Sequence, residues 1–139
     1  MIAYFDTSGF VPLLIEEQGS STARDLWRSA RMVISTRLLY VEAAAALRRA
    51  ESTGRIDRAN RLRAEALLDG FWSEVAVREL NDPLMRSAAS VASELGLRGF
   101  DAVHCAAAHS IASPRTVAVA GDRRLLRAWQ SLGLSTAAV

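Results

Sequence analysis

"IAYFD", residues 2–6, sets a brief apolar run directly against an aspartate. Four apolar residues bounded in this way read as a short strand buried on both faces, with a carboxylate placed at its end. Three more segments share the form: "MVIS" at 32–35, "EVAV" at 74–77 and "TVAVA" at 116–120. Helical periodicity fills the intervals, over 8–17, 20–30, 37–53, 57–71, 83–95, 101–112 and 122–132. Strands alternating with helices predict an α/β domain built on a mainly parallel sheet.

Local punctuation agrees with this division. In "NDP" at 81–83, Asp82 reads as a helix cap and Pro83 as the first helical residue. Gly54 and Gly96 fall where helices should stop, and Pro114 follows another end. The helical pair over 37–71 makes the link between the second and third strands longer than a minimal crossover, so it is expected to project as an arm.

A chain of 139 residues, half of them hydrophobic, fits one domain over 1–139 with a single core. Repeats and low-complexity tracts are absent. All 17 positive charges are arginine, which reflects compositional bias as much as function. A net charge of +2 and a pI near 9.3 permit a nucleic-acid partner without requiring one. Cys105 stands alone in an apolar run, so nothing points to an oxidising compartment. The opening residues lack the basic region of a signal peptide, and no stretch approaches the roughly 20 apolar residues of a spanning helix. The expectation is a soluble cytoplasmic protein with no membrane partner.

In parallel α/β sheets ligands bind beyond the carboxyl ends of the strands, which directs attention to the polar residues there. Asp6 follows the first strand, and Asp122 follows the last. Asp101, in "LRGFDAVHCAAAH" at 97–109, opens a helix expected to start at the same edge. Taken singly, each of the three reads first as a helix cap or turn residue. Glu42 differs, because it lies inside a helix among Leu38, Leu39, Tyr40, Val41 and four alanines. Its plain alternatives are a solvent-facing glutamate or an arginine pair, although Arg37 and Arg49 miss the favoured spacing.

Convergence of these acids would demand protonation or a cation, since like charges about 4 Å apart repel by ~4 kcal/mol at an effective dielectric of 20. Oxygen-only ligands select Mg²⁺ or Mn²⁺, the ions of phosphoryl chemistry. A zinc reading through His104, Cys105 and His109 is poorer, because only Cys105 and His109 share a helix face and two ligands make a weak site. A packed cysteine and two hydrogen-bonded histidines are expected instead. Trp27, Trp72 and Trp129 fall in predicted helices and read as core or interface.

"YFDTSGF", "VEAAAAL", "LRGFDAVHCAAA" and "VAVAGDRRLLRAW" together resemble the PIN-domain ribonucleases, specifically the VapC-like toxins of bacterial toxin–antitoxin pairs. The resemblance runs from residue 1 to about 134. It implies a three-layer fold, with a central, mainly parallel sheet of 4–5 strands flanked by helices. It also implies that Asp6, Glu42, Asp101 and Asp122 bind Mg²⁺, or Mn²⁺ in its place, and support RNA hydrolysis. Ser8 would assist from the "DTS" turn, and His104, three residues after Asp101, would lie just behind the acids. The family usually carries threonine or serine two positions before the last aspartate, where this chain has Ala120; that departure weakens Asp122 as a ligand.

The resemblance further implies an antitoxin partner that blocks the acidic site, a toxin homodimer and a toxin–antitoxin hetero-oligomer. Contact surfaces are expected on the helical pair, where Arg48, Arg49, Arg55, Arg58, Arg61 and Arg63 alternate with Leu47, Ile56 and Leu62. Arg37, Arg98, Arg123 and Arg124, beside the acids, are the candidates for RNA phosphate contacts. Two other readings stand beside this one. A haloacid-dehalogenase-type phosphatase would need a second acid where Ser8 stands, and a non-catalytic PIN-fold binding module would not need all four acids.

Overall fold

The computed structural model describes residues 1–139 and contains one five-stranded sheet in which every neighbouring pair is parallel. Its strands are β1 (Ile2–Phe5), β2 (Met32–Thr36), β3 (Ala76–Arg78), β4 (Thr116–Ala120) and β5 (Ser135–Ala138), in the spatial order β3-β2-β1-β4-β5. Connecting them are α1 (Thr7–Phe10) with a 3-10 turn at Val11–Leu13, α2 (Ser20–Ser29), α3 (Arg37–Ser52), α4 (Arg58–Trp72), α5 (Asp82–Leu95), α6 (Gly99–Ser110) and α7 (Arg123–Ser131).

Strand side chains alternate between faces, and the two faces have separate cores. Ala3, Phe5 and Val119 pack with residues of α1 to α4, including Phe10, Leu39 and Leu68. Tyr4, Ala118 and Ala120 pack on the other face with residues of α5 to α7, including Leu84, Leu125 and Trp129. Because both faces are covered, the strands read as apolar runs rather than as alternating ones. The result is a helix–sheet–helix sandwich.

Several sequence expectations are corrected in detail. The helix expected over 8–17 is only α1 and the 3-10 turn, since Pro12 supplies no N–H to continue a helix. Asn81, not Asp82, caps α5; its side chain accepts from the Leu84 N–H at 3.1 Å, and Pro83 takes the second helical position. β3 begins two residues later than expected, because Glu74 and Val75 bond back to Phe71 and Trp72 in the turn that ends α4. β5 carries the small, polar sequence "STAA" of a half-covered edge strand and has no apolar run to announce it.

In the helical pair α4 packs on α3, and the turn that joins them is largely exposed. Leu39 and Leu47 of α3 and Leu68 of α4 belong to the same core cluster as Phe5 and Val119. Trp27 packs within 5.5 Å of Phe5 and 4.9 Å of Phe71, and Trp129 is fully buried 6.0 Å from Tyr4, so both belong to the core. Trp72 packs on Tyr40 near the surface. No helix is long and apolar enough to cross a membrane.

Candidate active site

The order β3-β2-β1-β4-β5 reverses direction between β1 and β4, and the carboxyl ends of these two strands open a crevice there. Asp6 stands directly after β1 and Asp122 two residues after β4. Asp6 caps α1, with Oδ1 accepting from the Gly9 N–H at 2.8 Å. Only glycine fits at position 9: a Cβ there would lie 2.6 Å from the Val119 carbonyl oxygen of β4. This close approach carries Ser8 to the end of β4. Its Oγ donates to the Asp6 carboxylate at 2.9 Å and accepts from the N–H groups of Gly121 at 2.9 Å and Asp122 at 3.0 Å. Asp122 in turn caps α7 through Oδ1, at 2.7 Å from the Arg124 N–H and 3.2 Å from the Leu125 N–H.

Glu42 is partly buried and is paired with a histidine instead of an arginine. Its Oε1 accepts from Thr7 Oγ1 at 2.9 Å and meets His104 Nε2 at 2.7 Å. Because an ionised carboxylate only accepts, Nε2 donates to Glu42, and Nδ1 on the far side of the ring lies 2.8 Å from the Tyr4 hydroxyl. His104 and Tyr4 are both buried, so this chain of bonds is sealed from water at its inner end.

Asp101 does not open its helix. α6 begins at Gly99 after the cap residue Arg98, so Asp101 is the third helical residue, and its carboxylate makes no hydrogen bond to the fold. It is therefore not a capping group.

Electrostatics link these acids. Burial pushes Asp6 up to about 6, although His104, the Gly9 N–H and Ser8 all oppose the rise. Asp101 is also raised, first by burial, then by the Asp122 charge and more weakly by Glu42; His104 and Arg98 act against it. Burial would raise Glu42 as well, but its bonds to His104 and Thr7 outweigh that and hold it below the usual glutamate value. Asp101 thus senses both Glu42 and Asp122 across the crevice.

The donor set fits a hard divalent cation. Glu42 and Asp122 each anchor one carboxylate oxygen in the fold and leave Oε2 and Oδ2 free; Asp101 leaves both of its oxygens free. No three His, Cys, Asp or Glu side chains close on one point.

The remaining expectations divide. Arg37 is engaged by Glu79 through two hydrogen bonds of 2.8 and 2.5 Å. Arg98, Arg123 and Arg124 are exposed at the helix starts beside the acids. Cys105 is buried, as expected, whereas His109 is exposed and makes no side-chain hydrogen bond, so the two form no metal site. Ala120 is buried against the α5–α7 layer, and Ser8 fills the polar role near Asp122. Sequence reading missed Tyr4 and Thr7 as supports of the site. The only signal for Thr7 was its place in "DTS", and Tyr4 reads as an ordinary strand aromatic.

An all-parallel α/β sheet whose carboxylates gather at its switch point defines an acidic-site α/β domain. The PIN domain family model matches residues 3–129. Over 124 residues, 89% of this chain and 86% of theirs, the sequence is 38% identical to ribonucleases VapC45 and VapC49 of Mycobacterium tuberculosis. The structure of Mycobacterium tuberculosis VapC20, described as a sarcin–ricin loop cleaving toxin, matches with a TM-score of 0.68 at 21% identity, over 91% of this chain and 94% of that one. VapBC-5 from the same species, a member of the VapBC toxin–antitoxin family, matches with a TM-score of 0.61 at 18% identity, over 99% and 98%. The chain belongs to the PIN domain family and, within it, to the VapC ribonucleases.

Proposed function

We propose that this chain is a divalent-metal-dependent endoribonuclease, the toxin of a toxin–antitoxin pair, acting in the cytoplasm as a single PIN domain over residues 1–139. Asp6, Glu42, Asp101 and Asp122 are its metal-holding acids, with Mg²⁺ as the ion and Mn²⁺ as its substitute. One observation carries this reading: Glu42 and Asp122 each bond to the fold through one carboxylate oxygen and keep the other free, while Asp101 keeps both free and is raised by the charges of the other two. Bound there, the ion would activate water and stabilise charge on the phosphate.

The protein's own groups do the positioning. Thr7 and His104 orient Glu42, and Ser8 ties Asp6 to the backbone before Asp122. Arg98, Arg123 and Arg124 supply positive charge beside the acids for the RNA backbone. A cognate antitoxin covers this edge, and the toxin pairs with a second copy of itself.

The test incubates wild-type and Asp101→Asn protein with total bacterial RNA, with Mg²⁺, Mn²⁺ or a chelator, and maps new 5′ ends. Cleavage at few sites, abolished by chelator and reduced ~100-fold or more by the substitution, is expected. Cleavage indifferent to both would overturn the assignment; no cleavage at all would favour a binding module.

A further inference from the structure

Gly54 ends α3 with φ at 76°, and the Arg55 N–H returns to the Ala50 carbonyl at 2.9 Å. From this reversal Arg55 Nη2 reaches Glu17 Oε2 at 2.7 Å, a partner 38 residues earlier in the segment before α2. Arg55 and Glu17 line the same cleft as Asp6, Thr7, Ser8 and Asp122. The cleft therefore has two polar groups of opposite character: the acids of the site, and an arginine held by its own counter-ion.

We infer that Arg55 anchors a phosphate of the RNA strand flanking the cleaved bond, and that Glu17 is its exchangeable counter-ion. This deepens the ribonuclease reading and rests on it. A polyanion entering an acidic crevice needs a cation beside the acids and not among them. Arg55 meets that need, because it lines the cleft with Asp6 and Asp122 while its guanidinium bonds Glu17. Its side chain is 57% exposed, and the pair uses a single nitrogen of a fork that can donate from three. An exposed pair of this kind is weak, so a phosphate accepting two charge-assisted bonds displaces it readily. Arg37, by contrast, already gives two bonds to Glu79 and does not line this cleft.

The experiment measures binding of end-labelled fragments of total bacterial RNA to the Asp101→Asn protein with Mg²⁺, between ~50 and ~200 mM NaCl. Adding Arg55→Gln is expected to weaken binding ~10-fold at low salt and to reduce the slope of log affinity against log salt by ~0.7. Arg55→Lys should retain most of the slope. Glu17→Gln breaks the same ion pair but leaves the cation, and it should tighten binding. Weaker binding in Glu17→Gln would overturn the inference by making the pair merely structural.

An unchanged slope in Arg55→Gln, while the parent binds RNA and the wild type cleaves it, would remove the anchor alone. It would assign the pair to a protein partner. Failure of the parent to bind, together with failure of the wild type to cleave, would remove the ribonuclease reading and this inference with it.

Discussion

His104 Nε2 stands 2.7 Å from Glu42 Oε1, and that bond joins a helix on one face of the sheet to a helix on the other. Tyr4 holds the opposite ring nitrogen at 2.8 Å, so the imidazole is fixed at both ends. One oxygen of Glu42 is fixed with it. Outer contacts of this kind typically alter metal affinity ~10–100-fold when removed.

His104→Ala is therefore expected to weaken Mn²⁺ binding by about that factor, read by electron paramagnetic resonance of free Mn²⁺. It should also destabilise the fold by ~2–4 kcal/mol, through a cavity and the unpaired Tyr4 hydroxyl. A folded variant with unaltered Mn²⁺ affinity would show that His104 serves packing only.

Ser8→Ala removes one hydroxyl that serves the Asp6 carboxylate and two backbone N–H groups. The expected loss is ~1–2 kcal/mol in urea unfolding. Cleavage should fall more steeply than stability, since the substitution frees Asp6 and Asp122 to move independently. Equal activity per folded molecule would refute the coupling.

Asp6, raised by burial to about 6, makes stability fall with pH. The fold favours the protonated acid, so its contribution is complete below about pH 4 and is lost as pH rises through about 6. Over that window the contribution amounts to at most ~3 kcal/mol. Glu42, held below its ordinary range, acts in the opposite sense at lower pH, so the informative quantity is the difference between wild type and Asp6→Asn. Thermal unfolding in chelator from pH 4 to 7 should show the wild type declining relative to the variant. Parallel curves would contradict the raised Asp6.

Two glycines should respond in opposite directions. Gly9→Ala drives a Cβ to 2.6 Å from the Val119 carbonyl and should cost ~1–3 kcal/mol. Gly70→Ala, in α4 with nothing within 4 Å, should stabilise by ~0.5–1 kcal/mol. Chemical denaturation of both variants checks the pair, and a neutral Gly9→Ala would refute the close approach of α1 to β4.

The sequence by itself determined the alternation of strands and helices, because β1, β2 and β4 are buried on both faces and must be apolar throughout. It also placed Asp6 and Asp122 at strand ends and singled out Glu42 by its apolar company. The edge strands β3 and β5 escaped accurate reading for the converse physical reason: half-covered strands need no apolar run.

What only the tertiary structure decided were contacts between residues far apart in the chain. Glu42 meets His104 62 residues away, and Ser8 bonds the backbone of Asp122 114 residues away; no local periodicity encodes either pairing. Asp101 shows the same division. Its place near a helix start was visible in "GFDAV", but its lack of any capping bond, and its charge facing Asp122, arose only when β4 packed beside β1. Local pattern specifies which segments become strands and helices, whereas the charge and hydrogen bonding of a carboxylate depend on whatever the fold brings against it.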